Sequence, residues 1–129
     1  MMGRGETVMK YLLLVYHNEE SFGQMSEATR KSMLAESIQL CHQLHDKGQY
    51  VHASPLQPVA TATVVRTRDG KRSVTDGPFI ETREQLAGYF LIDATNVDEA
   101  IDIAGRIPGA RIGAVEVRPL REISGLPGE

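Results

Sequence analysis

Two side chains capable of proton transfer follow predicted strands in this sequence. His17 stands at the C-terminal end of an apolar run, and the unperturbed pKa of imidazole suits proton transfer near neutral pH. Asp76 stands before a Gly-Pro pair, where a fixed backbone would present its carboxylate at constant geometry. Each has a structural alternative, because a strand-end histidine is also an ordinary loop residue and an aspartate before glycine commonly stabilises its own turn. The pattern predicts His17 as a proton shuttle, with Asp76 as its orienting group or as a base.

Four more side chains are candidates for ligand binding. Tyr16 precedes the candidate histidine, and Arg83, with Glu81 close by, offers a planar fork of donors suited to a carboxylate or phenolate. The alternative for this charged run is a solvated linker between strands. Tyr89 projects opposite to Phe90 on a predicted strand, so it is either a core aromatic or a phenol that lines a pocket.

The remaining histidines and the cysteine predict no further site. His42 and His45 lie three residues apart on a predicted helix without other ligands at suitable spacing, and His52 fits a strand edge. Cys41 falls on the apolar stripe of the helix, which favours packing over nucleophilic chemistry. With no glycine-rich phosphate loop and no nucleophile elbow in the sequence, we predict neither a metal nor a cofactor.

The bulk composition predicts one globular domain. The chain has 129 residues, 41% of them hydrophobic and 24% charged, and a net charge of −3 that excludes a basic footprint for nucleic acid. Its longest apolar run, Tyr11 to Tyr16, is far too short to span a membrane, and a single cysteine fits the cytoplasm. We divide the chain into a disordered leader at 1–8, one domain at 9–120 and a tail at 121–129, with Met1 and Met9 as alternative start codons.

The apolar periodicity predicts six strands and two helices. Strands are predicted, in chain order, over residues 9–16, 50–54, 60–68, 71–75, 86–94 and 112–117. Asp69-Gly70 is a strong signal for a type I′ hairpin turn. Residues 21–25 are predicted to form a loop.

The helices have recognisable ends. Ser26 is expected to cap the first helix and Gly48 to end it. Its apolar positions at helical spacing are Leu34, Ile38, Cys41 and Leu44. Asn96 with Glu99 forms a capping-box variant that opens the second helix, and Pro108-Gly109 stops it.

This element order predicts an α+β fold, a ferredoxin-like split βαβ arrangement with an antiparallel sheet and an inserted β-hairpin. Right-handed crossovers would place both helices on one face of the sheet and leave the other face bare. The apolar side chains expected to be shared between the two faces are Val15, Val64, Phe90, Ile92 and Val115. A bare apolar sheet face is too large a patch for a monomer, so we predict a homodimer through sheet-face packing.

Four segments together resemble the DGPF branch of the YCII-related family. They are Met9 to Leu14, Val74 to Phe79 with its Asp-Gly-Pro-Phe motif, Leu86 to Asp93, and Val115 to Pro119. The resemblance spans Met9 to Leu120. It implies a ferredoxin-like fold in which two protomers form a dimeric α/β barrel, in agreement with the element order.

The resemblance implies less about chemistry, because one fold hosts many functions. Some YCII-like proteins use a His and Asp pair in a small pocket, and one is a dehydrochlorinase that acts on a chlorinated hydroxyquinol. Their histidine falls on the first helix near Ser37 of this sequence, so the pair does not transfer residue by residue. Other DGPF proteins accompany extracytoplasmic-function sigma factors.

Two hypotheses follow from these observations. The first is a small cofactor-free enzyme with lyase-like or isomerase-like acid-base chemistry on a small polar or aromatic molecule. The second is a non-catalytic dimer that binds a small molecule or a regulatory protein in a sigma-factor circuit.

Overall fold

The computed structural model describes residues 8–128, which form a four-stranded sheet, a separate hairpin and three α-helices. The strands are β1 Met9–His17, β2 Tyr50–Pro55, β3 Thr63–Arg68, β4 Lys71–Asp76, β5 Gln85–Ala94 and β6 Ala114–Pro119. The helices are α1 Glu19–Gln24, α2 Glu27–Asp46 and α3 Val97–Gly105, with 3₁₀ turns at Val59–Thr61 and Pro108–Arg111. Of the predicted leader only Val8 belongs to the described residues, and residues 120–128 form neither helix nor strand.

The sheet has the order β2-β5-β1-β6, and every neighbouring pair is antiparallel. Each crossover, from β1 to β2 and from β5 to β6, includes a long helix, which gives the ferredoxin-like α+β fold that the sequence predicts. Strands β3 and β4 pair with each other as a separate two-stranded sheet. The inserted hairpin is therefore confirmed as well.

The core lies between one face of the sheet and the two long helices. Along β1 the buried side chains are Tyr11, Leu13 and Val15, at the period of two that a half-covered strand requires. Leu44 of α2 and Ile103 of α3 pack against them in the same cluster.

The expected sharing of apolar side chains between two sheet faces is wrong. Val15, Phe90, Ile92 and Val115 all belong to the helix-covered side, and Val64 lies in the hairpin. Strand alternation decides this, because directly paired residues such as Val15 and Val115 share a face.

The opposite face, which we call the open face, has an apolar centre of half-buried leucines. Leu12 and Leu14 of β1 lie beside Leu91 of β5. At its edge the Lys10 ammonium is 2.9 Å from the Asp93 carboxylate. No element in the described part of the chain has its core residues on this side.

Local signals in the sequence set the element ends as predicted. The Ser26 and Asn96 side chains accept hydrogen bonds from backbone amides at the starts of α2 and α3. Gly48 has a φ of 73° just after α2. Asp69 and Gly70 have φ values of 53° and 76°, the positive pair that a type I′ turn requires.

Two expectations about helices are corrected. The predicted loop at 21–25 belongs largely to α1, which Asn18 caps by accepting a hydrogen bond from the Ser21 amide, with two glutamates in its first turn. On α2, Leu34 and Ile38 are half-exposed although they fall on the apolar stripe, whereas Leu40 is buried.

Among the described residues, no helix combines the length and apolarity that crossing a bilayer would need.

Candidate functional site

A cavity of about 220 Å³ lies between the sheet and the N-terminal half of α2. Most of its lining is apolar, and its polar members include His17, Arg30 and Ser37. The apolar wall includes Val15, Phe22, Met33, Leu34, Ile38, Ala53, Phe90, Ile107, Pro108 and Ile112. A concave apolar site with a few polar groups is the usual form of a small-molecule pocket.

His17 enters the cavity from the last position of β1. Its imidazole ring stacks on Phe22 of α1, with 4.4 Å between ring centroids and an interplanar angle of 12°. The short helix α1 therefore orients the candidate histidine. Its signal in the sequence is Asn18 followed by Glu19-Glu20, an N-cap with acidic residues in the first turn.

Partial burial lowers the pKa of His17 from its ordinary value of 6.5. The carboxylates of Glu19 and Glu84 act in the opposite direction, because each favours the charged ring. The burial effect is the largest, so the environment of His17 favours the neutral form of the ring. A neutral imidazole that faces an apolar cavity can accept a proton from a bound molecule, and the two carboxylates then stabilise the imidazolium.

Hydrogen bonds tie the corner between β1 and α1 to the segment before β5. The Asn18 side chain donates to the Arg83 carbonyl oxygen at 2.8 Å, and the Glu19 amide donates to Gln85 Oε1 at 2.9 Å. Glu19 Oε2 also accepts from the Val59 amide at 2.9 Å. These contacts hold His17 in place and bring the Glu84 carboxylate close enough to interact electrostatically with the imidazole ring.

Gly113 permits a close backbone approach beside the histidine. A Cβ atom there would overlap the Tyr16 carbonyl oxygen and lie 3.0 Å from the His17 Cα. Any larger residue would push the chain before β6 away from β1. Glycine at this position is thus part of how the fold places His17.

Asp76 does not join His17 in the cavity. It lies at the exposed end of β4, opposite Thr63, and is not a lining residue. The next residue, Gly77, has a φ of 94° and donates its amide to the Ala62 carbonyl oxygen at 2.8 Å. The turn accounts for the glycine, and a catalytic role for Asp76 stays a prediction.

The four residues predicted to bind a ligand lie in different parts of the fold. Glu81 and Arg83 are exposed in the segment between β4 and β5 and lie outside the cavity lining, with Arg83 contributing its carbonyl to the corner described above. Tyr16 lies on the open face, where its hydroxyl is 3.3 Å from Glu116 Oε1. Tyr89 borders the cavity, while its hydroxyl lies 2.7 Å from His52 Nδ1.

The sequence indicated the cavity residues on α2 only in part. Ser37, the position at which the resemblance places the histidine of YCII-like enzymes, does line the cavity. Cys41 lines it as well and packs against the core, and burial raises the pKa of its thiol. This environment favours packing over nucleophilic chemistry, since the thiolate is the reactive form.

The fold and the cavity together define a class, a small ferredoxin-like α+β domain with an apolar pocket between helix and sheet. A family model described as the YCII-related domain matches residues 9–124, and the chain belongs to the YCII-related family. It is also 33% identical over 114 residues to an uncharacterized protein of Rhizobium meliloti (strain 1021). That alignment covers 87% of this chain and 92% of the relative.

Proposed function

We propose that this protein is a cofactor-free enzyme of the DGPF branch that carries out acid-base chemistry on a small molecule bound in the apolar cavity. The observation that carries the proposal is the partly buried His17 in the cavity wall, with a pKa lowered by burial and two carboxylates near it. His17 is the proton acceptor, and Glu84 and Glu19 stabilise the charged ring. Lyase-like or isomerase-like proton abstraction is the chemistry this arrangement suits.

The size and lining of the cavity favour a substrate built on a single ring. A volume of about 220 Å³ exceeds the roughly 150 Å³ of an engineered apolar cavity that binds benzene. Arg30 lines the cavity and donates a hydrogen bond from one guanidinium nitrogen to the Gly23 carbonyl oxygen. Its other N–H groups suit an anionic substituent on the ligand. The proposed substrate class is a substituted monocyclic aromatic molecule.

Ligand binding is expected to depend on the cavity and to tolerate changes at Asp76. A monocyclic aromatic ligand at 100 times its dissociation constant should add about 2.7 kcal/mol to the free energy of unfolding. Ser37→Phe fills the cavity and should abolish this gain, whereas Asp76→Asn should keep it because Asp76 is not a lining residue. Thermal-shift measurements on the three proteins check this prediction.

Either of two results would contradict the proposed site. One is a stabilising ligand that Ser37→Phe still binds, and the other is a loss of binding in Asp76→Asn. The first result would mean that the ligand binds outside the cavity. The second would mean that Asp76 contributes to the binding site.

Binding without turnover is the second candidate function. It is favoured by the position of Asp76, which leaves the predicted His and Asp pair divided between two parts of the fold. A ligand that stabilises the protein and is never converted would support it. The association with a sigma-factor circuit rests on the family resemblance alone.

The open face is the proposed homodimer interface, and the cytoplasm the proposed location. Two copies that pack sheet to sheet would cover Leu12, Leu14 and Leu91 and complete the dimeric α/β barrel. The polar pairs Tyr16–Glu116 and Tyr89–His52 would lie around this apolar centre.

A charge at the centre of the open face is expected to produce monomers. Leu14→Asp would place a carboxylate between the sheets, where desolvation without a partner costs several kcal/mol. Light scattering at micromolar concentration should show a dimer for the wild type and a monomer for Leu14→Asp. The control is Ile101→Asp, an exposed position on α3, which should remain dimeric. A monomeric wild-type protein would contradict the proposed interface.

A further inference from the structure

The hairpin formed by β3 and β4, residues 63–76, projects as an arm with little support from the rest of the fold. Its strands pair only with each other, and none of the four strands of the main sheet extends it. An isolated two-stranded hairpin is marginally stable in water. The arm is nevertheless regular, with six paired positions and a tight turn at its tip.

One face of the arm displays an apolar pair. Val65 lies directly opposite Val74, and their exposed fractions are 57% and 59%. Cross-strand pairs of β-branched residues stabilise hairpins, but these side chains are left in water by the protomer itself. The arm of a single protomer therefore lacks a covering surface on this face.

The base of the arm carries a second exposed apolar group. The Arg66 guanidinium lies 5.1 Å from the centroid of the Phe79 ring, and both Phe79 and Ile80 are exposed. Arginine and aromatic side chains are enriched at protein interfaces.

The charge of the arm indicates what would cover it. Its cationic side chains are Arg66, Arg68, Lys71 and Arg72, and its anionic ones are Asp69 and Asp76. The arm thus carries +2, and because the whole chain carries −3, the remainder carries −5. The surface complementary to the arm is acidic and has exposed apolar side chains, and the remainder of a second copy has both properties.

We propose that the arm docks on a second copy of this chain, at the edge formed by α1 and α2. This edge presents Leu34 and Ile38, each 50% exposed and each part of the cavity lining, and the acidic first turn of α1 with Glu19 and Glu20. The protomer's own arm leaves its valine pair exposed, so the occupant comes from the other copy. In a two-fold symmetric dimer the contact occurs twice. This arm contact is additional to the sheet-to-sheet interface.

Removing the apolar pair tests the docking. Sedimentation equilibrium should show at least a tenfold weaker dimer for the double variant Val65→Asp, Val74→Asp. A second double variant, Val65→Thr, Val74→Thr, keeps the branched shape and strand preference and should also weaken the dimer, so a disrupted hairpin cannot account for the effect. The control Ile101→Asp, at an exposed apolar position on α3, should leave the dissociation constant unchanged. Wild-type dimer affinity in both double variants would overturn the proposal.

Carbodiimide crosslinking between isotopically labelled and unlabelled copies tests where the arm lies. Crosslinks from Lys71 to Glu19 or Glu20 should join one labelled and one unlabelled chain. Crosslinks confined to single chains would mean that the arm folds over its own protomer, and this outcome overturns the proposal. Neither result depends on whether a ligand for the cavity is found.

Discussion

Leu44→Ala is expected to lower the free energy of unfolding by about 2–5 kcal/mol, the range for large-to-small substitutions in a close-packed core. Leu44 is fully buried in the C-terminal half of α2, where it packs in the cluster between sheet and helices. Its truncation removes apolar contacts and leaves a cavity that the surrounding strands can close only in part. Urea unfolding, followed by circular dichroism, measures the change.

Leu34→Ala is the matched control, because it makes the same substitution on the same helix. Leu34 is 50% exposed in the free protomer and borders the proposed substrate cavity. Its loss should cost well under ~1 kcal/mol, as expected for a surface site, when measured in the monomeric Leu14→Asp background. Equal costs at the two positions would contradict the division of α2 into a core half and a cavity half.

His17→Gln is expected to lower turnover of a cavity substrate by about 10²–10⁴-fold, the contribution typical of general acid-base catalysis. Glutamine approximates the size of the imidazole and can still hydrogen-bond, so ligand stabilisation in the thermal-shift assay should persist. A variant that retains wild-type turnover would remove His17 from the reaction. The matched control is His42→Gln, an exposed histidine on α2 outside the cavity lining.

The same histidine should determine how activity and stability change with pH. Because burial lowers the pKa of His17, kcat/KM should rise with pH along an acidic limb whose midpoint lies below 6.5, and this limb should be absent in His17→Gln. The lowered pKa also means that the unfolded chain binds this proton more readily. The stabilising contribution is therefore complete above about pH 6.5 and is lost as the pH falls toward the folded-state pKa. Urea unfolding between pH 7.5 and 5, compared with His17→Gln, isolates this component.

The two halves of α2 explain why the site lies where it does. The C-terminal half is held in the core by Leu40 and Leu44, and Arg111 binds Glu36 through two hydrogen bonds of 2.8 and 2.9 Å near the middle of the helix. The preceding turns stand away from the sheet and form a cavity wall. A rigid scaffold thus supports a pocket to which the short helix α1, of six residues, contributes Phe22.

Local signals in the sequence were sufficient for much of the architecture. The positive φ angles at Asp69 and Gly70, the caps at Ser26 and Asn96 and the alternation along β1 depend on near neighbours in the chain. Element order then restricts the topology, because crossovers are right-handed and strands pair locally. The ferredoxin-like sheet with an inserted hairpin was therefore predictable, and so was the placement of His17 at a strand end.

Tertiary structure decided what these elements do together. Helix α1 is too short to show an apolar period, and its Phe22 is identified as the support for His17 only by their stacking. Leu34 and Leu44 have equal status in the helical pattern, yet only the packing of the sheet determines which one is buried. Asp76 and His17 looked like a pair because both follow strands. The hairpin is a separate sheet, so Asp76 lies outside the cavity that His17 lines, and no local rule encodes that arrangement.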